Sequence, residues 1–169
     1  MDFADGIFSI GCCCDNPITY GFDLMPSSES SRFFFKFLQN RRIDFTRLEG
    51  VVYDHACGLH RYILNREPAQ FQNVRFLVDG SHWKAQKKFK KSDKKSDGHL
   101  GCSLGYDYNT YKPYTQDGPD GMRNSQSREQ MHSVLDKLGK SLRQKNYHNF
   151  FRWLISFFAI RNLQKMNKL

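Results

Sequence analysis

Gly50-Val51-Val52-Tyr53-Asp54-His55-Ala56-Cys57-Gly58-Leu59-His60 decides how the chain folds. Two β-branched residues and a tyrosine read as a buried strand that closes on an aspartate. A turn of small residues follows, and Leu59, Tyr62 and Ile63 then recur at helical spacing. Glu67-Pro68 interrupts that helix, because proline disfavours the helical region in the residue before it. Residues 74–80, Val-Arg-Phe-Leu-Val-Asp-Gly, form a second apolar strand that also closes on an aspartate, Asp79. Strand, helix and strand in this order predict a parallel βαβ unit. In open α/β sheets ligands bind outside the carboxyl ends of the strands, where Asp54 is expected to sit.

Outward from this unit the pattern stays α/β. Residues 7–14 read as a strand closed by the turn signal Asp15-Asn16-Pro17, and 18–22 as a second short extended piece. The Pro26-Ser27-Ser28-Glu29 signal opens a helix that runs to about Asn40, with Phe34, Phe37 and Leu38 on one face and Phe33 and Phe35 flanking it. Residues 84–98 are lysine-rich and aperiodic, as expected of a surface loop. Residues 106–121 are irregular, and from Ser125 a helix places Met131, Val134, Leu135, Leu138 and Leu142 on one stripe. A last helix over 149–163 is apolar on nearly every side and is expected to be largely packed. There is no internal repeat.

The 169 residues suit one domain, and 39% hydrophobic content with fifteen phenylalanines argues against global disorder. Residues 84–95 hold seven lysines against one aspartate, +6 of the chain's +9, which points to an anionic partner, DNA first. Lys84, Lys87, Lys88, Lys90, Lys91, Lys94 and Lys95 are the candidate nucleic-acid contacts. A solvated charge run is the plainer reading of the same stretch. Five cysteines, three of them adjacent at 12–14, do not look like a disulfide framework and fit a reducing, intracellular setting. No signal peptide is visible, and the longest apolar run is far short of the roughly 20 residues a membrane span needs. No membrane association is therefore expected.

Two constellations could carry chemistry. Asp54 and Asp79 close successive strands and Glu129 lies in the first turns of the long helix, off its apolar stripe. Clustered carboxylates suit Mg²⁺ or Mn²⁺, and two such ions can activate an attacking oxygen and stabilise a leaving one. Strand-terminal aspartates also cap the next helix, for Asp54, or start a turn, the better reading for Asp79 on spacing alone. The second constellation is Cys57-x-x-His60 with His99-x-x-Cys102, a Cys₂His₂ set of the kind that binds Zn²⁺, with His82 as a spare. Against it stand the long separation of the two pairs and the habit of buried cysteine of acting as a small hydrophobe.

The block from Val52 to His60 resembles the YD-x-AC block of Kyakuja–Dileera–Zisupton (KDZ) transposases. Leu64-Asn65-Arg66-Glu67-Pro68, Val78-Asp79-Gly80-Ser81-His82-Trp83, His99-Leu100-Gly101-Cys102-Ser103 and Asn124-Ser125-Gln126-Ser127-Arg128-Glu129-Gln130 resemble further blocks of that family, in its order. The likeness runs roughly from Gly6 onward and is closest to the branch related to HMG-box proteins with a captured transposase segment. It implies an incomplete ribonuclease H-like fold, a mixed sheet flanked by helices with long C-terminal helices, and a nuclear, DNA-associated, transposon-derived protein. It also implies an Asp-Asp-Glu triad holding two metal ions for phosphodiester cleavage and strand transfer. Asp54 matches the second acid and Glu129 the third, while Asp79 lies in a family block without belonging to the triad. The first acid belongs to a strand upstream of the one that Ile7 begins, and Asp2 and Asp5 have no apolar strand before them. The expectation is a truncated domain with an incomplete triad and little or no catalysis, or else a non-enzymatic DNA- or chromatin-binding module.

Overall fold

The computed structural model describes residues 6–14, 17–25, 29–41, 43–79, 82, 104–110, 130–137 and 146–167. The protein is a mixed α/β chain with small sheets and a long C-terminal helix. It divides into two compact units, one made of residues 1–28 with 118–169 and the other of residues 29–117.

The unit over 29–117 is the predicted βαβ. Strand β3 (Gly50–Val52) pairs in parallel with β4 (Arg75–Leu77) through helix α2 (Ala56–Leu64). The register sets Gly50 against Arg75, Val51 against Phe76 and Val52 against Leu77, and the ladder continues where Tyr53 N–H donates to Leu77 O at 2.9 Å. Beyond β4, Val78 makes a further parallel bridge with Asp107, between short 3₁₀ turns at Leu104–Tyr106 and Tyr108–Thr110. The ladder is short, three residues on each strand, with Arg75 at its exposed end. Val51, Phe76, Leu77 and Val78 are all buried, as parallel strands covered by helices must be.

Helix α1 (Ser31–Asn40) starts later than the proline and serine cluster suggests, because Ser30 is the cap: its hydroxyl accepts from Phe33 N–H at 3.2 Å. Phe34, Phe35, Phe37 and Leu38 of α1 are buried, and Phe35 meets Tyr62 of α2 edge-on. Helix α2 buries Ala56, Leu59 and Ile63 at helical spacing and ends at Leu64, just before the proline signal. At its Gly58 the imidazole of His55 packs close over the backbone, where an added Cβ would push that ring aside.

In the other unit, β1 (Gly6–Gly11) and β2 (Thr19–Met25) form an antiparallel pair, with Ile7 opposite Leu24, Ser9 opposite Phe22, and a register shift after Ile10. Ile7, Phe22 and Leu24 therefore share one face. That face packs on Met131 and Leu135 of α3 (130–137) and on Phe150, Leu154 and Phe158 of α4 (Tyr147–Met166). The packing of α4 is narrower than the largely packed helix its composition suggests. Its buried residues fall four apart on a single stripe, and Ile155, Ile160, Leu163 and Met166 remain about half exposed. The bounds of the first strand are corrected as well: β1 ends at Gly11, so residues 12–14 lie past it, with the sulfurs of Cys12 and Cys14 side by side.

Candidate metal centre

A parallel pair sends the carboxyl ends of both strands the same way. Asp54 lies two residues beyond Val52, and Asp79 two residues beyond its register partner Leu77. The two aspartates thus stand abreast at one end of the ladder, and Asp54, Asp79 and His82 offer ligand atoms that all lie within 4.8 Å of one another. His82 Nδ1 faces both acids: it is hydrogen-bonded to Asp79 Oδ2 and lies 3.5 Å from Asp54 Oδ1. Among the described residues this is the one group of three or more such side chains that converges.

The three members differ in burial, and the difference defines the site. The Asp79 side chain is 4% exposed, so its charge needs a partner held by the fold. Asp54 is 57% and His82 40% exposed, so the centre opens to solvent on their side. The turn reading of Asp79 holds for one of its oxygens, since Oδ1 accepts from His82 N–H at 3.4 Å. That turn brings the imidazole back against Oδ2. Asp54 lies one residue before the cap of α2, in the turn that leads into that helix. The cap position is His55, which makes no side-chain capping bond, while Ala56 N–H bonds back to Tyr53 O at 3.1 Å.

Tyr53, directly before Asp54, is fixed on the inner side. Its ring lies 4.5 Å from that of Phe34, and burial, with the charge and hydrogen bond of Glu29, pushes its phenol well above the ordinary value. It therefore stays protonated and brings no further negative charge to the site.

The other candidates are placed differently. Cys57 is half-buried on α2, and His60 points into an aromatic slot: it stacks on Phe76 at 4.6 Å, and its Nδ1 is 2.9 Å from the Tyr106 hydroxyl. Desolvation in that slot lowers the imidazole below its ordinary value. Neither residue belongs to the converging group. Glu129, His99, Cys102 and the lysines Lys84, Lys87, Lys88, Lys90, Lys91, Lys94 and Lys95 lie outside the described residues. Sequence spacing sets Asp54 beside Asp79, but it offers His82 only as a spare for the cysteine–histidine set and not as the third member of this group. The usable signal was the equal offset of the two aspartates from the paired strands, with a histidine three residues after the second.

No family model matches the chain, and no curated protein and no solved structure matches it. No helix among the described residues is long and apolar enough to cross a membrane.

Proposed function

We propose that this chain is a transposase-derived domain of KDZ type with a ribonuclease H-like fold, and that Asp54, Asp79 and His82 hold a divalent ion beside bound DNA. The observation that carries this reading is the convergence of those three side chains at the carboxyl ends of parallel strands. Two-ion phosphodiester chemistry asks for enough ligands to bind one metal at the attacking oxygen and one at the leaving oxygen. Two carboxylates and an imidazole supply one ion, so strand cleavage is expected to be slow or absent. The DNA partner follows from the charge: seven lysines in residues 84–95 would release counterions from the phosphate backbone, giving binding that weakens steeply with salt.

The charge concentration also favours a second reading, a DNA- or chromatin-binding module with no chemistry. One pair of measurements separates the two. Fluorescence anisotropy with duplex DNA should show salt-sensitive binding that weakens when Lys87, Lys88, Lys90 and Lys91 are changed together to glutamine; unchanged binding removes DNA as a partner. Incubation with supercoiled plasmid and Mn²⁺ or Mg²⁺ then tests the chemistry. Nicking that disappears on Asp54→Ala would establish a working nuclease centre against our expectation of little or none.

A further inference from the structure

We infer that the Asp54–Asp79–His82 centre selects zinc over magnesium, with His82 as the ligand that sets the preference and one coordination position open to solvent. The inference rests on the reading above that this cluster holds a divalent ion, and it names which one. A carboxylate pair alone is a hard, all-oxygen set suited to Mg²⁺ or Mn²⁺. An imidazole nitrogen among the donors changes the order, because Mg²⁺ favours oxygen and keeps its water, whereas nitrogen ligands bind Zn²⁺ far more strongly. Here the nitrogen is not peripheral. His82 Nδ1 is the atom that meets both carboxylates, so an ion held by Asp54 and Asp79 cannot avoid it.

Charge and spacing agree with a small tetrahedral ion. Two carboxylates and a neutral imidazole carry −2, which one divalent cation cancels. Zinc binds nitrogen and oxygen at about 2.0–2.2 Å, which puts neighbouring ligands roughly 3.3–3.6 Å apart by tetrahedral geometry. The 3.5 Å between His82 Nδ1 and Asp54 Oδ1 falls in that span, while His82 Nδ1 and Asp79 Oδ2, in direct hydrogen-bond contact, would move apart to share the ion. Three protein ligands with the fourth position facing solvent is the arrangement of zinc sites that bind a water rather than of closed structural sites. Asp54, 57% exposed, marks the open side. Asp79 orients the set because its second oxygen is already held by the His82 backbone N–H.

The test uses the full chain, stripped of metal and titrated separately with Zn²⁺, Co²⁺ and Mg²⁺, with circular dichroism on every variant to confirm the fold. One Zn²⁺ per chain is expected, bound at least tenfold more tightly than Mg²⁺. His82→Ala should weaken Zn²⁺ on the order of 10–100-fold or more while changing Mg²⁺ little, and Asp79→Asn should weaken both. The Co²⁺ form should show the absorption of a four- or five-coordinate ion without a thiolate charge-transfer band. Equal affinity for Mg²⁺ and Zn²⁺, or Zn²⁺ binding indifferent to His82→Ala, overturns the inference while the metal-binding reading stands. A thiolate band that disappears on Cys57→Ser would place the zinc on the cysteine–histidine pairs instead and also overturn it. If no ion binds at all, the reading and the inference fall together.

Discussion

The two units use strand direction in opposite ways. In the unit over 29–117 the parallel pair β3 and β4 sends both carboxyl ends to one side, and the polar groups found there, Asp54, Asp79 and His82, converge on a point open to water. In the other unit the antiparallel pair β1 and β2 sends its ends opposite ways, and the polar side chains tie elements together instead. Ser9 Oγ meets His132 Nε2 of α3 at 3.0 Å, and the Asn162 amide of α4 pairs with both the N–H and the C=O of Thr19 at 2.9 Å each. Histidine serves both arrangements. What separates a site from a staple here is whether the topology gathers acids around it.

The largest expected effect breaks the comparison if it comes out wrong. Leu59 of α2 and Leu154 of α4 are each 0% exposed, and truncating either to alanine should cost about 2–5 kcal/mol in urea unfolding. Only Leu59→Ala should also loosen Zn²⁺ binding, because α2 and the turn carrying Asp54 are one continuous piece. Metal affinity lost on Leu154→Ala and kept on Leu59→Ala would mean that the βαβ unit does not build the site.

Next in size is the staple. Asn162 imitates a neighbouring strand: its Oδ1 accepts from Thr19 N–H and its Nδ2 donates to Thr19 O. Removing both hydrogen bonds with Asn162→Ala should cost about 1–3 kcal/mol, read as a shift of the urea midpoint, with metal binding unchanged. A stability equal to the parent protein would show that water replaces the amide. The helix caps come below that. Ser30→Ala in one unit and Asn146→Ala in the other each remove a side-chain acceptor from a helix start and should cost about 1 kcal/mol in the same titration. A loss confined to one of the two would mean that only that helix start depends on its cap.

This contrast also explains what could be read in advance. The βαβ unit was legible because its signals are local: a β-branched run closing on aspartate, helical spacing of Leu59 and Ile63, and a second run closing on aspartate. The place of Asp54 followed from strand direction alone. Asp79 was a candidate beside it, though a turn was the better reading there. His82 as their partner was not legible, because Asp79 satisfies an ordinary turn with one oxygen, and nothing in spacing reveals that the other is turned to His82. The Cys57-x-x-His60 spacing was legible as a motif, but the structure puts His60 in an aromatic slot against Phe76 and Tyr106. In the other unit two extended stretches were visible, yet their pairing and the tie from Thr19 to Asn162 span far too much chain for local pattern to report. The apolar coat of α4 misled for a related reason, since composition counts residues on every side of a helix while packing used one stripe.

The smallest effect is a slope with pH, and it separates the two histidine environments within the βαβ unit. His60 is held below its ordinary value by burial, whereas His82 faces carboxylates. For His60 the unfolded chain titrates near 6.5 and the folded protein lower, so between those two values the unfolded state binds more protons. The contribution of neutral His60 is therefore fully present above 6.5 and is lost as pH falls from there toward the folded value. His60→Phe keeps a flat ring against Phe76 and removes the proton, so metal-free protein carrying it should lose part of the fall in urea midpoint that the parent shows over this window. A proton NMR titration of the same metal-free protein reads the imidazole directly. A His60 midpoint at or above 6.5 would mean that the slot is wetter than its packing against Phe76 and Tyr106 implies. That residue would then again be accessible as a ligand, and the contrast between an imidazole half-buried among aromatic rings and one turned toward acids would lose its physical basis.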